Sequence, residues 1–261
     1  MRLRPSLAAA FVLLPVAAQA QEEERPPLRT RVALGPAVAP RYPGSDRIGF
    51  RPLIAVDRAR GDDLFVFEAP DESFGPRLLT IGNLTMGPSA GFEGKRRRRD
   101  TDGRLDEVGF TVEAGAFANY QLGPALRVRA EARQGIGGHK GLIGIVGADY
   151  VARDGDKWLF SLGPRVTLSN GRYNRAYFGV SPRESATSGL PAHRPDGGLQ
   201  AVGATAGLIT QFTERWGIYT FAKYDRLVAD PARSPEVRGF GSRNQISGGA
   251  ALSYTFGRGL N

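Results

Sequence analysis

The segment Gln245–Phe256 (QISGGAALSYTF) sets Ile246, Gly248, Ala250, Leu252, Tyr254 and Phe256 on one face of an extended chain. Gln245, Ser247, Gly249, Ala251, Ser253 and Thr255 fall on the other. One face is apolar and ends in two aromatics; the other is small and mostly polar. A strand with lipid outside and a wet barrel interior inside has this pattern. The same period recurs in the middle of the chain. Phe110, Val112, Ala114, Ala116, Ala118 and Tyr120 alternate with Thr111, Glu113, Gly115, Phe117, Asn119 and Gln121. Beyond the turn Leu122–Pro124, Leu126, Val128, Ala130 and Ala132 alternate with Arg127, Arg129, Glu131 and Arg133. Strict period two along both arms of a hairpin predicts strands, and no helical period fits it.

The start of the chain places those strands in a compartment. Arg2 and Arg4 precede an apolar run, Leu7–Ala18, and Ala18-Gln19-Ala20 offers a small-x-small cleavage site. The run falls short of the ~20 residues that a spanning helix needs, so it reads as a cleaved signal peptide over 1–20. The mature chain then starts near Gln21 as a single domain, 21–261, after an acidic, proline-rich lead, Gln21–Pro27. Cysteine is absent, which excludes disulfides, thiolate metal sites, cysteine nucleophiles and a lipid-modified N-terminal cysteine. Past residue 20 no apolar run approaches spanning-helix length. A closed β-barrel is then the remaining way across a bilayer, because lipid tolerates no unpaired backbone. The expected fold class is therefore all-β: a closed antiparallel transmembrane barrel in the outer membrane of a Gram-negative cell. The net charge of +9 in an exported chain reads first as a solvated, slightly basic surface, and as for partners it points to lipopolysaccharide phosphates or anionic solutes rather than nucleic acid.

Twelve strands are predicted, near 28–39, 48–58, 63–69, 75–81, 84–93, 109–121, 125–135, 142–151, 157–168, 199–211, 216–227 and 245–256, with ten as the alternative. Short turns fall at Ala59–Asp62, Gly82-Asn83, Leu122–Pro124, Ala152–Asp156 and Thr213–Arg215. Longer connections fall at Pro40–Arg47, Gly94–Val108, Ser169–Gly198 and Val228–Asn244, with shorter members at Pro70–Phe74 and Ile136–Gly141. The two classes alternate, so both termini belong on the short-turn, periplasmic side. Eleven strands would put them on opposite sides. Closure leaves no edge strand exposed.

The polar faces place Glu113, Arg127, Arg129, Glu131 and Arg133 in the lumen, with Arg51 and Asp57 from the second strand and Lys223 and Asp225, or their neighbours, from the eleventh. Such charges either pair across neighbouring strands and stiffen the barrel or line an anion-favouring pore. Lys95-Arg96-Arg97-Arg98-Arg99, beside Asp100, Asp102, Asp106 and Glu107, is an exterior loop suited to solvent or to phosphate groups. Catalytic material is thin. His139 sits in a glycine turn, and His193 lies near Ser181, Ser185 and Ser188 without a GxSxG elbow or an acidic orienter. Two histidines with no carboxylate at ligand spacing make no metal site, and the Gly-x-Gly runs lack a strand-to-helix junction. No cofactor is expected.

Several short elements resemble the MipA/OmpV family of outer-membrane proteins. They are Pro40–Asp46 (PRYPGSD), Gly138–Leu142 (GHKGL), Tyr177–Pro182 (YFGVSP) with Ser188–Pro191 (SGLP), Tyr224–Asp230 (YDRLVAD) with Ser234-Pro235, and the closing Ser253–Phe256 (SYTF). They run in order across nearly all of the mature chain. The resemblance implies a non-enzymatic outer-membrane barrel acting as a scaffold between a lytic murein transglycosylase and a peptidoglycan synthase. Porin-like, adhesive and stress-responsive members are also described. No catalytic residues carry over. Two departures stand out: the tail Gly257–Asn261 beyond the final aromatic, and the strongly basic Lys95–Arg99 block. Tyr42, Tyr177 and Phe178 either fold the loops over the barrel mouth or, with Arg96–Arg99, form a partner surface.

Overall fold

Strand pairing in the computed structural model, which describes residues 26–257, forms one antiparallel sheet of eleven strands. These are β1 (Leu28–Pro40), β2 (Ile48–Arg60), β3 (Leu79–Ile81), β4 (Leu84–Glu93), β5 (Thr111–Gln121), β6 (Leu126–Gly137), β7 (Leu142–Asp154), β8 (Trp158–Ser169), β9 (Gly198–Gln211), β10 (Trp216–Leu227) and β11 (Asn244–Phe256). The order is β2-β1-β11-β10-β9-β8-β7-β6-β5-β4-β3, so every hairpin is sequential and β1 joins β11. Thr30 lies opposite Phe256, which brings both ends of the sheet sequence to the short-turn end. The signal-peptide reading, most of the acidic lead and all but the first residue of the C-terminal tail lie outside the described residues. No helix among the described residues is long and apolar enough to cross a membrane.

The sheet curls around a polar interior. Inward residues alternate with outward ones as period two requires: along β8 every second side chain is buried. The outward set is apolar and exposed, including Phe50, Leu34, Ile246, Tyr150 and Leu252. The inward set includes Arg29, Arg31, Glu113, Arg127, Arg129, Glu131, Asp149 and Arg165, all buried. This inverts the usual arrangement of a water-soluble protein.

Twelve wall strands were expected, and one of them is not in the wall. Residues 61–73, including the expected strand 63–69 and the expected exterior loop Pro70–Phe74, rise from the short-turn end into the lumen. Arg29 donates to the Asp63 carbonyl, Phe65 is 1% exposed, and Asp71 meets Arg165 of β8 and Lys223 of β10. The chain then reverses and descends beside β4, through a Phe74–Ala90 bridge and a Leu78–Met86 hydrogen bond, into the three-residue β3. The expected strand 75–81 shrinks accordingly. The physical reason is charge: the inner arginines need counter-charges, and Asp71 and Glu72 supply them. Because this pass rises inside, eleven wall strands still leave both ends of the sheet on one side. The expected parity argument fails for that reason.

Closure is not seen. Among the described residues no ladder joins β2 to β3, so the sheet keeps two unpaired edges where none was expected.

The long connections hold helices: α1 (Gly171–Phe178), α2 (Pro182–Ser188), α3 (Ala229–Arg233) and α4 (Pro235–Gly239), with a 3-10 turn at Arg98–Thr101. The hydrophobic cluster of the molecule lies among them, built on Tyr42, Val108, Tyr173, Tyr177, Phe178 and Val237. It caps the long-loop end.

The filled lumen and its cap as candidate functional site

Period-two geometry aims the inner side chains of β5–β8 and β10 at one central column, and the inserted segment completes it. Asp149 accepts from Arg127 at 2.9 Å and from Arg165 at 2.7 Å. Asp71 holds Arg165 at 3.0 Å and Lys223 at 3.2 Å, and Lys223 also reaches Asp225 at 3.1 Å. Glu72 pairs with Arg127 and lies 3.3 Å from Arg129. Arg129 pairs with Glu131 and donates to Asn119 at 3.1 Å. Arg133 pairs with Glu131 and, at 2.7 Å, with Glu113. Aromatic faces add to these pairings: Arg29 and Arg31 lie over Phe65 at 4.9 and 4.4 Å, Arg127 over Phe67 at 4.3 Å, and Arg129 over Phe117 at 4.1 Å. Gly207 admits the segment, since a Cβ there would sit 2.8 Å from Pro70.

Arg127, Arg129, Glu131, Arg133 and Glu113 thus share one paired network. Arg51 sits apart from it on β2, where it donates to the Pro40 carbonyl at 3.2 Å and lies 3.9 Å from Glu93 of β4. Asp57 pairs with Arg31 at 2.9 Å. Sequence reasoning missed Asp71, Glu72 and Asp149, the acids that balance the arginines.

The cap is built from the loops upward. Asn170 caps α1 by accepting from the Tyr173 amide at 3.0 Å. The α1 backbone rests on the glycine turn, where a Cβ at Gly141 would lie 2.5 Å from Tyr173. His139 stacks edge-on against Tyr173, with ring centroids 4.7 Å apart. Its Nδ1 accepts from the Gly141 amide at 3.0 Å, so Nε2 carries the proton donated to Glu113, also at 3.0 Å. Arg96 is buried and donates to the carbonyls of Tyr177 at 2.8 Å and Asp106 at 3.1 Å. Tyr42, Tyr177 and Phe178 are at most 1% exposed, so they seal the mouth instead of standing on a surface. Arg97, Arg98 and Arg99 are exposed.

Glu236 of α4 is fully buried beside Tyr42 and Arg96, and neither carboxylate oxygen completes a hydrogen bond. Burial pushes its carboxyl up to about 7, against the opposing pull of the Arg96 charge. Burial, and then the charge of Glu236, hold the Tyr42 hydroxyl above its usual range.

The histidines and serines singled out in the sequence do structural work. His193 bridges to Val180 and contacts the Asp230 carbonyl at 3.3 Å, while Ser181 forms a capping box with Glu184 on α2. Among the described residues no group of three or more His, Asp or Glu is arranged to hold a metal ion.

Among the described residues, recesses lie at both ends of this column. A cavity of about 320 Å³ lies between the tip of the inserted segment and the cap, bordered by Asp71, Glu93, Lys223, Tyr42 and Tyr173. A larger one of about 510 Å³ lies at the short-turn end, bordered by Phe65, Phe67, Arg77, Asn83, Gln121 and Arg153.

Solved structures with a similar chain path include an outer-membrane channel from Pseudomonas putida F1, at 11% identity and TM-score 0.37, covering 88% of this chain and 96% of that one. The outer-membrane protein OprG from Pseudomonas aeruginosa matches at 9% identity and TM-score 0.25, covering 90% and 98%. The N-terminal β-barrel domain of Pseudomonas aeruginosa OprF matches at 13% and 0.29, covering 67% and 98%. No curated protein matches in sequence. The family model described as "MltA-interacting protein MipA" matches residues 32–256, from β1 to the end of β11, and the chain belongs to that family.

Proposed function

We propose that this protein is an exported, single-domain outer-membrane barrel that acts as a non-enzymatic scaffold for murein-turnover enzymes, with a lytic transglycosylase of the MltA kind as its first partner. The family description supplies the partner class. The observation that carries the reading is the asymmetry of the two ends. The long-loop end is sealed by a hydrophobic cap over an ion-paired column, while the short-turn end keeps an open recess edged by Phe67, Arg77 and Arg153. In the expected orientation that recess faces the periplasm and the murein. Aromatic and arginine side chains are what protein-docking sites favour. At the other end Arg97–Arg99 face outward, suited to lipopolysaccharide phosphates.

The rival reading, a narrow channel for anionic solutes lined by Arg127, Arg129 and Arg133, needs an open path. Those arginines are consumed by Glu72, Asp149, Glu131 and Glu113, and the inserted segment occupies the axis. Planar-bilayer recording of the refolded protein tests both. The wild type should be silent, and Asp71→Asn with Glu72→Gln, which frees the segment from its cations, should raise discrete openings. Anion-selective steps in the wild type that shrink in Arg129→Ala would replace the scaffold reading with transport. Failure to recover any murein enzyme with the protein from membranes would refute the scaffold.

A further inference from the structure

The two unpaired edges do not face each other across empty wall. A cavity of about 320 Å³ lies between the free edge of β2 and the inserted segment, distinct from the axial recesses. On one side it is bounded by Leu53–Asp57 of the free edge of β2, and on the other by Glu68–Phe74 where the inserted segment turns back. Ile54 and Val56 belong to the outward face and are 55% and 53% exposed; Phe74, opposite, is 68% exposed. The inner end reaches Ala33, Tyr219 and Ser253, and Ser253 is 1% exposed. The cavity therefore runs through the sheet, from its outer apolar surface to its polar interior. On the long-loop side Arg51 of β2 and Glu93 of β4 reach across the gap to within 3.9 Å of each other.

We propose that this gap is a lateral binding site for a neutral single-chain amphiphile drawn from the bilayer, its hydrocarbon tail at the Ile54–Phe74 mouth and its uncharged head inside. The inference rests on the outer-membrane reading above. Three observations fix the chemistry. The mouth is apolar, so the part of the ligand that lies there is apolar. The hydroxyls of Ser73 and Ser253 border the cavity, and both are buried without a hydrogen-bond partner. An unpartnered buried hydroxyl is costly, and a ligand head with a hydroxyl or carbonyl relieves it. The charges nearby are already matched: Arg31 with Asp57, Glu72 with Arg127, and Glu68 with Arg77 at 3.6 Å. An anionic head would meet three carboxylates, and a cationic head would have to break an existing pair. Neutral heads are left.

The site also answers a difficulty in the fold. A free strand edge exposed to hydrocarbon is unfavourable, and membrane barrels ordinarily remove it by closure. Here the unpaired rim borders a cavity with polar groups inside, where a ligand head or water can reach the edge.

The test uses full-length protein reconstituted in phosphatidylcholine vesicles containing a photoreactive monoacylglycerol, with the matching free fatty acid as a charged comparison. After illumination, adducts are mapped by mass spectrometry. Monoacylglycerol adducts should concentrate at Ile54, Val56 and Phe74, at least five-fold above Leu162 and Ile246 elsewhere on the outer face. Ser253→Phe, which fills the inner end, should abolish that excess. Ala33→Leu, a smaller intrusion at the same end, should reduce it if Ser253→Phe does not fold. Even labelling around the sheet, or equal labelling by the fatty acid, would overturn the proposal. So would efficient disulfide-linked dimers of Val56→Cys in this otherwise cysteine-free chain, because a second copy would then occupy the edge. Alkaline extraction of the vesicles separates the two levels. Release of the protein would bring down the membrane reading with the site, whereas retention without the labelling pattern would bring down the site alone.

Discussion

Replacing Glu236 by Gln should remove a pH-dependent weakness from the cap. Glu236 is held between Tyr42 and Arg96 under α4, fully buried, with its carboxyl pushed up to about 7 by that burial. In an unfolded loop the same group titrates near 4.3. A raised carboxyl leaves the packed cap holding a proton that the open loop releases. The stabilisation is complete below the unfolded value, declines as pH rises, and is gone above about 7. A difference of two to three pH units corresponds to on the order of 3 kcal/mol, or two to three decades in the opening equilibrium. Burial holds the Tyr42 hydroxyl above its usual range, so the Glu236 carboxyl dominates this window; the Arg96 and Asp46 charges also act on it. Hydrogen exchange at the α1 amides of the micelle-bound protein, corrected for intrinsic rate, reads the opening directly. Protection in the wild type should fall by roughly a hundredfold between pH 5 and pH 8, and in Glu236→Gln it should be nearly flat. An equal slope in both proteins would refute the assignment, as would a flat wild type.

Other perturbations follow from the same contacts. Asp149→Ala removes one of two carboxylates from both Arg127 and Arg165, which it holds at 2.9 and 2.7 Å, and leaves them Glu72 and Asp71. The unfolding free energy in urea and micelles should drop by about 1.5–3 kcal/mol, the usual range for a lost charge-assisted hydrogen bond. Gly141→Ala puts a Cβ 2.5 Å from the Tyr173 backbone. It should cost about 1–3 kcal/mol and make the 170–197 connection more susceptible to protease while the strands stay protected.

Most of the wall was legible because a strand with two different faces writes its period into the sequence. Ten of the predicted strands lie within a few residues of the observed ones. Of the two exceptions, 75–81 shrinks to β3, and 63–69 is the instructive one. Asp63–Ala69 (DLFVFEA) alternates like its neighbours, and its aromatics, Phe65 and Phe67, look like one face of a wall strand. In place they are stacked under arginines. Two signals pointed away from the wall. Pro70 and Pro76 interrupt any ladder, and Glu68, Asp71 and Glu72 supply the negative charge that the inner faces of β6 and β8 lack. Periodicity is read one strand at a time, and charge balance across an enclosed space is not. The cap was less visible for a related reason: its tyrosines cluster only after loops far apart in sequence converge. Even so, Ser181-Pro182-Arg183-Glu184 is a capping box with proline at the first helical position, and it marks α2 from sequence alone.

The open gap and the filled lumen are one choice made twice. For residues 63–69 to enter the wall, Asp71 and Glu72 would have to leave Arg165, Lys223, Arg127 and Arg129. That would take one of its two carboxylate partners from each of four buried cations and leave a net positive charge in the lumen, at a cost of several kcal/mol in all. The return would be one more ladder, whose hydrogen bonds contribute about 1 kcal/mol each in net terms. The lumen therefore retains the segment, and the sheet stays one strand short of closure. An arginine-rich interior and an open lateral edge arise together: the residues that fill the axis are the same residues that leave the wall ajar. A barrel built this way is poorly suited to passing solutes along its axis. It is suited to presenting two addressable surfaces, a recess at the short-turn end and a slot in the side.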